Sequence, residues 1–204
     1  MKDTKEVILF LKPNSVYTPV TMANELLNRN PELGDPLIFP KTRNSANPLF
    51  IFSTNENFQL QGGLETVSLL ITEKNYNKIA SIVFDIIDAF DEAGCSFKRI
   101  GYLVSKYQPA SCIEKAKRLY LNLDNVEEEI QEFNLSWYKK INDDELVLNA
   151  WERIITDTID FNELLVQYDI NTLNEEEKNF DMKFIKKFFE LADSYIESRD
   201  KFNG

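Results

Sequence analysis

Four sets of residues in this chain could do chemistry or recognise a partner. They are the acidic run Glu127, Glu128, Glu129 and Glu132, the triplet Asp143-Asp144-Glu145, the tryptophans Trp137 and Trp151, and the cations Lys98, Arg99, Lys106, Lys115, Lys117 and Arg118. None of these sets spells a catalytic pattern. Histidine is absent from all 204 residues, which removes the commonest general base and the commonest metal ligand. Ser105 and Ser136 therefore have no imidazole to activate them. Cys112, near Lys115 at an expected helix start, reads as a structural thiol rather than a nucleophile. Cys95 and Cys112 lack metal-ligand spacing and read as free thiols. Gly62-Gly63 lacks the following lysine, hydroxyl residue and helix of a phosphate loop, so it reads as a hairpin turn. The Asp143 triplet lacks the spaced oxygen ligands of a calcium loop and reads as a solvated turn. No catalytic residue, metal site or cofactor is expected, and a carboxylate-only metal enzyme is the third choice among the function classes.

Charge is distributed unevenly. The chain carries a formal net charge of −11, yet residues 124–181 alone hold 17 acidic and 4 basic side chains. Residues 95–123 run the other way, with the six cations named above against Glu114. An acidic surplus of this size disfavours direct nucleic-acid binding, which needs positive surface against phosphate. It suits a basic protein partner instead. The apolar run from Val7 to Leu11 is too short for a signal peptide, and no stretch approaches a membrane span. A cytoplasmic protein without membrane contact is expected, and a homo-oligomer stays open.

The elements that must position these side chains follow from periodicity. KEVILFLK, residues 5–12, alternates as a strand. Thr18 and Pro19 then open a helix with Ala23, Leu26 and Leu27 on one face. A loop over residues 30–48 holds a short strand at Leu37–Phe39, and three short strands follow, turning at Thr54–Asn57 and at Gly62-Gly63. From Tyr76 the spacing of Ile79, Ala80, Val83, Ile86, Ile87 and Phe90 changes to three and four, a helix that Gly94 stops. The order then repeats. FKRIGYLVSKY is a strand, a helix covers residues 111–121, an acidic linker follows, and three longer strands span Phe133–Ile141, Leu146–Thr156 and Phe161–Ile170 before a last helix from Asp181 to Arg199.

Two similar β-α-β-β-β-α halves, residues 1–94 and 95–204, are therefore expected within one unit. An offset of 93 superposes Val7, Leu9 and Leu11 on Ile100, Tyr102 and Val104, and one of 105 superposes Ile79 and Phe90 on Phe184 and Tyr195. The fold class is α+β: an antiparallel curved sheet with the long helices on one side, similar to helix-grip and TATA-binding-protein-like architectures. Asp88 and Asp193 fall on equivalent polar positions and read as solvated. Trp137, Tyr138 and Trp151 read as sheet packing that would suit a binding surface if exposed.

FIFSTNENFQL, the helix opening at Tyr76, Arg99-Ile100-Gly101 and the terminal VQYDIN strand with its Phe-rich helix resemble a sporadically distributed bacterial family without assigned activity. The resemblance spans roughly residues 48–196. The chain departs from the family in lacking the arginine-tyrosine-asparagine continuation after its Arg-Ile-Gly strand. The resemblance implies a mobile-element or defence setting and no mechanism. The expected function is a non-enzymatic interaction protein whose acidic second half, with Trp137 and Trp151, binds a basic protein, as inhibitors, immunity and anti-defence proteins do. The alternative is a small-ligand or sensor domain with a pocket between helix and sheet.

Overall fold

The structure is a computed structural model that describes residues 3–40, 47–54, 58–72, 76–121, 132–156, 163–173 and 179–202. Alternating apolar residues form β1 (Thr4–Leu11), β3 (Phe50–Thr54), β4 (Phe58–Gly62), β5 (Thr66–Ile71) and β6 (Phe97–Pro109). β2 (Leu37–Ile38) is a two-residue edge, while β7 (Asn134–Asn142), β8 (Val147–Thr156) and β9 (Glu163–Thr172) are longer. Residues of three-and-four spacing form α1 (Pro19–Arg29), α2 (Tyr76–Glu92), α3 (Ser111–Leu121) and α4 (Met182–Arg199). Apart from a single 3-10 turn at Pro31–Leu33, inside the expected loop, the element types and order agree with the sequence pattern, and the class is α+β.

The strands make one nine-stranded sheet in the order β2-β3-β4-β5-β1-β6-β9-β8-β7. Every recorded pairing is antiparallel. The N-terminal strand is central: Val7 lies opposite Leu69 of β5 on one side and Tyr102 of β6 on the other. Because side chains alternate, Val7, Leu9, Ile100, Tyr102, Val104, Tyr168 and Ile170 all point to one face and are at most 1 % exposed. The helices cover that face. Phe90 of α2 meets Phe97, Phe189 of α4 meets Tyr102, and Tyr120 of α3 meets Trp137. Fully burying a phenyl side chain such as Phe90 or Phe189 contributes roughly 1.5–3 kcal/mol.

Local chemistry sets the helix ends. Thr18 sits at the N-cap of α1 without a capping bond from its side chain, and Pro19 supplies the pre-set first turn. Asp181 does cap α4, accepting from the Phe184 N–H at 2.8 Å. Gly94 follows α2 at φ 76°, a left-handed conformation that stops the helix. Arg29 at the end of α1 pairs with Asp88 and, at 2.9 and 2.7 Å, with Glu25 and Glu92, fastening α1 to α2.

Candidate partner-binding face

Strand parity places the two tryptophans on opposite sides of the sheet. Trp137 lies opposite Glu152, and Tyr138 opposite Trp151, on the β7–β8 ladder. Glu152 points to the helix-covered face, so Trp137 does too. Its indole donates to Glu152 Oε2 at 3.0 Å, and its ring packs against Tyr120 at 5.1 Å. Trp137 thus packs, partly buried, against the core on the covered face.

Tyr138 and Trp151 face the other way. Their rings lie 5.1 Å apart, and they are 43 % and 40 % exposed. The Tyr138 hydroxyl donates to Asn149 Oδ1 at 2.5 Å, which fixes the ring over the sheet. Trp151 lies directly opposite Asp169 on β9, Asp169 opposite Leu103 on β6, and Leu103 opposite Glu6 on β1. One row across the helix-free face therefore reads Tyr138, Trp151, Asp169, Leu103, Glu6. The Asp169 carboxylate accepts from the Asn171 amide at 3.2 Å. An aromatic pair beside a half-exposed carboxylate can hold a cationic side chain, because the ring face and the carboxylate attract the same charge.

The acidic residues behave differently from one another. Glu127, Glu128 and Glu129 lie outside the described residues, and Glu132 is exposed just before β7. The Asp143-Asp144-Glu145 turn leans on α4: Asp143 pairs with Lys187 at 3.2 Å and Glu145 with Lys183 at 3.4 Å, while Asp144 is exposed. The Asp143 carboxyl is held below its ordinary value of 3.8, first by the Glu145 N–H and then by Lys187. A carboxyl lowered in the folded state contributes stability that is complete above its unfolded pKa and is lost as pH falls through the folded one. Side-chain carboxyl NMR should therefore give Asp143 a midpoint below 3.8 that moves back toward it in Lys187→Ala. An unmoved midpoint would refute the lysine's part.

The basic segment does not gather into one patch. Arg99 lies on the helix-free face, its guanidinium 4.1 Å from the Phe10 ring centre. Lys106 turns to the covered face and pairs with Asp200 at 2.5 Å. Lys117 is buried against Glu114 at 2.7 Å, and Lys115 lies 5.8 Å over the Phe202 ring. Lys98 is half-buried and Arg118 exposed.

Asp193 corrects its expected solvated placement. It is 9 % exposed and accepts from the Tyr102 hydroxyl at 3.4 Å, because α4 lies close enough to β6 to cover that side of the helix. Asp88, expected to be solvated as well, is half-exposed and pairs with Arg29. Both cysteines are free, and the buried Cys95 thiol donates to the Val16 carbonyl at 3.4 Å.

Among the described residues no three His, Cys, Asp or Glu side chains gather as a metal-holding group. Clefts of about 370 and 450 Å³ open beside α1 and the end of α2, and between α2 and α4. No described helix is long and apolar enough to cross a membrane. No protein-family model matches the chain, and no curated protein does.

Three residues of chemical interest escaped sequence reasoning: Asp169, whose place beside Trp151 comes from strand register, and the pair Glu152 and Arg199. Glu152 and Arg199 form an ion pair with Nε–Oε2 at 3.0 Å, and the Glu152 side chain is 1 % exposed. The signal was present in VLNAWERIIT, where Glu152 occupies the same parity as buried Leu148, Ala150 and Ile154.

Proposed function

We propose that this chain is a non-enzymatic interaction protein that binds a basic protein partner through the helix-free face of β7, β8 and β9. The exposed Tyr138–Trp151 pair beside Asp169 carries the reading. An arginine or lysine of the partner stacks on Trp151 and donates to Asp169, with exposed Glu132 and Asp144 nearby in sequence on the same acidic half. An exposed cation–π contact contributes about 0.5–1 kcal/mol, rising as water is excluded. The acidic surplus of residues 124–181 adds long-range attraction that speeds encounter.

The sheet order supports a further part of the proposal. Outward from the central β1–β6 pair, one side runs β5, β4, β3 and the other β9, β8, β7. Two related half-folds, divided near residue 94 and forming one saddle, would produce that order. The inhibitory or immunity role, in a mobile-element or defence setting, rests on charge logic and on the family resemblance.

The test compares tagged wild-type chain with Trp151→Ala/Asp169→Asn in capture from the native host, followed by binding kinetics on the recovered protein. The expected partner is basic, binds more slowly as salt rises, and loses at least tenfold in affinity to the variant, as central aromatic anchors do. Reversing Glu127, Glu128 and Glu129 to Lys should lower the association rate with little effect on folding. A variant that binds the same partner as tightly as wild type would sink the assignment.

A further inference from the structure

Beneath α3 the covered face of the sheet holds a polar group that the binding face does not use. Val104, Tyr168, Glu152 and Trp137 lie side by side across β6, β9, β8 and β7. Tyr120 of α3 packs on Trp137 from above, and Arg199 reaches in from the end of α4. Glu152 and Tyr168 are each 1 % exposed. Both bonds to the carboxylate, from Trp137 and from Arg199, end on Oε2. Its second oxygen, Oε1, is buried and has no hydrogen-bond partner among the described residues, and the same holds for the hydroxyls of Tyr120 and Tyr168.

Three unpaired buried oxygens on neighbouring side chains are costly, since each has given up water. The buried charges around them pair off, Glu152 with Arg199 and Asp200 with Lys106, while Lys201, exposed to solvent, lies over the Tyr120 ring at 5.1 Å. A charged ligand would upset that balance, whereas a neutral one with both donors and acceptors would not. The carboxylate can only accept, and a phenol can either donate or accept. Burial, with the Glu152 charge second, raises the Tyr120 hydroxyl to about 12 and lifts Tyr168 as well, so both phenols keep their protons.

We propose that Tyr120 Oη, Glu152 Oε1 and Tyr168 Oη together hold one internal water molecule that ties α3 to β8 and β9. The water donates to Glu152 Oε1 and to one phenol oxygen and accepts from the other phenol. That makes about three hydrogen bonds, the usual number for a buried water.

Two measurements on the full chain test this. A crystal structure that resolves ordered water should show density within hydrogen-bonding distance of all three oxygens, and a dry site overturns the proposal. Tyr120→Phe and Tyr168→Phe, each removing one hydroxyl, should each lower the unfolding midpoint by roughly 2–4 °C, the shift for one lost hydrogen bond in a chain of this size. If the hydroxyls have no partner, removing one relieves a desolvation cost, and an unchanged or raised midpoint overturns the bridge. A fall in Tyr120→Phe alone would point to a direct Tyr120–Glu152 bond and overturn it as well.

Discussion

Replacing Gly62 with Ala should destabilise the fold by roughly 3 kcal/mol, the upper range for overpacking a core. Gly62 lies opposite Phe50 on the β3–β4 ladder, and the phenyl ring covers the place where a side chain would stand. A methyl group there would come within 2.2 Å of Phe50 Cζ and 2.3 Å of Cε1. The ring has no easy retreat. Phe50 is fully buried and makes edge contacts with Phe52 at 5.8 Å and Tyr17 at 6.2 Å. Tyr17 is itself anchored, its hydroxyl donating to the Gly63 carbonyl at 2.7 Å. Urea denaturation should show the loss, and Phe50→Leu combined with Gly62→Ala should recover much of it by making room. If Gly62→Ala alone stays within about 0.5 kcal/mol of wild type, as neutral surface changes do, the ring moves more freely than its contacts imply.

That glycine shows what local sequence can and cannot convey. Gly62-Gly63 was readable as a turn signal, and the β4–β5 connection does follow it. The need for glycine at position 62 was not readable, because it arises from a ring on a neighbouring strand. The same division runs through the fold. Strand and helix periods are local, and they located β1, α2, β6 and α4 to within a few residues. The central pairing of β1 with β6 joins segments about ninety residues apart, and no local period encodes which strands become neighbours.

The candidate site was legible to the same degree. Trp151 stood out by residue type, whereas nothing in the sequence singled out Asp169, because their adjacency is a product of β8–β9 register. Trp137 and Tyr138 are consecutive in sequence, and one residue of parity sends them to opposite faces. The cations from Lys98 to Arg118 formed a block in sequence for a similar reason. A strand that alternates faces, followed by a helix folded over one of them, divides that block among both faces and the interior. Charge counts along a chain carry no information on that division.

The Arg199–Glu152 pair should give the second large effect, and a directional one. The two side chains differ in their access to water, at 30 % and 1 % exposed. Arg199→Met leaves the Glu152 carboxylate in the interior with the Trp137 indole as its remaining described donor. Removing one partner of a buried pair costs about 3–5 kcal/mol, because the other charge stays desolvated. Glu152→Leu leaves Arg199, whose head group can turn outward to water, so the cost should be smaller. It does not vanish, since the Trp137 N–H then loses its acceptor. The double variant should be more stable than Arg199→Met alone, with a coupling of 0.5–3 kcal/mol typical of contacting residues, roughly. Chemical denaturation of the four proteins completes the cycle. If Arg199→Met proves no worse than Glu152→Leu, or if the double variant loses the sum of the two, the pair is not what keeps this carboxylate in the core.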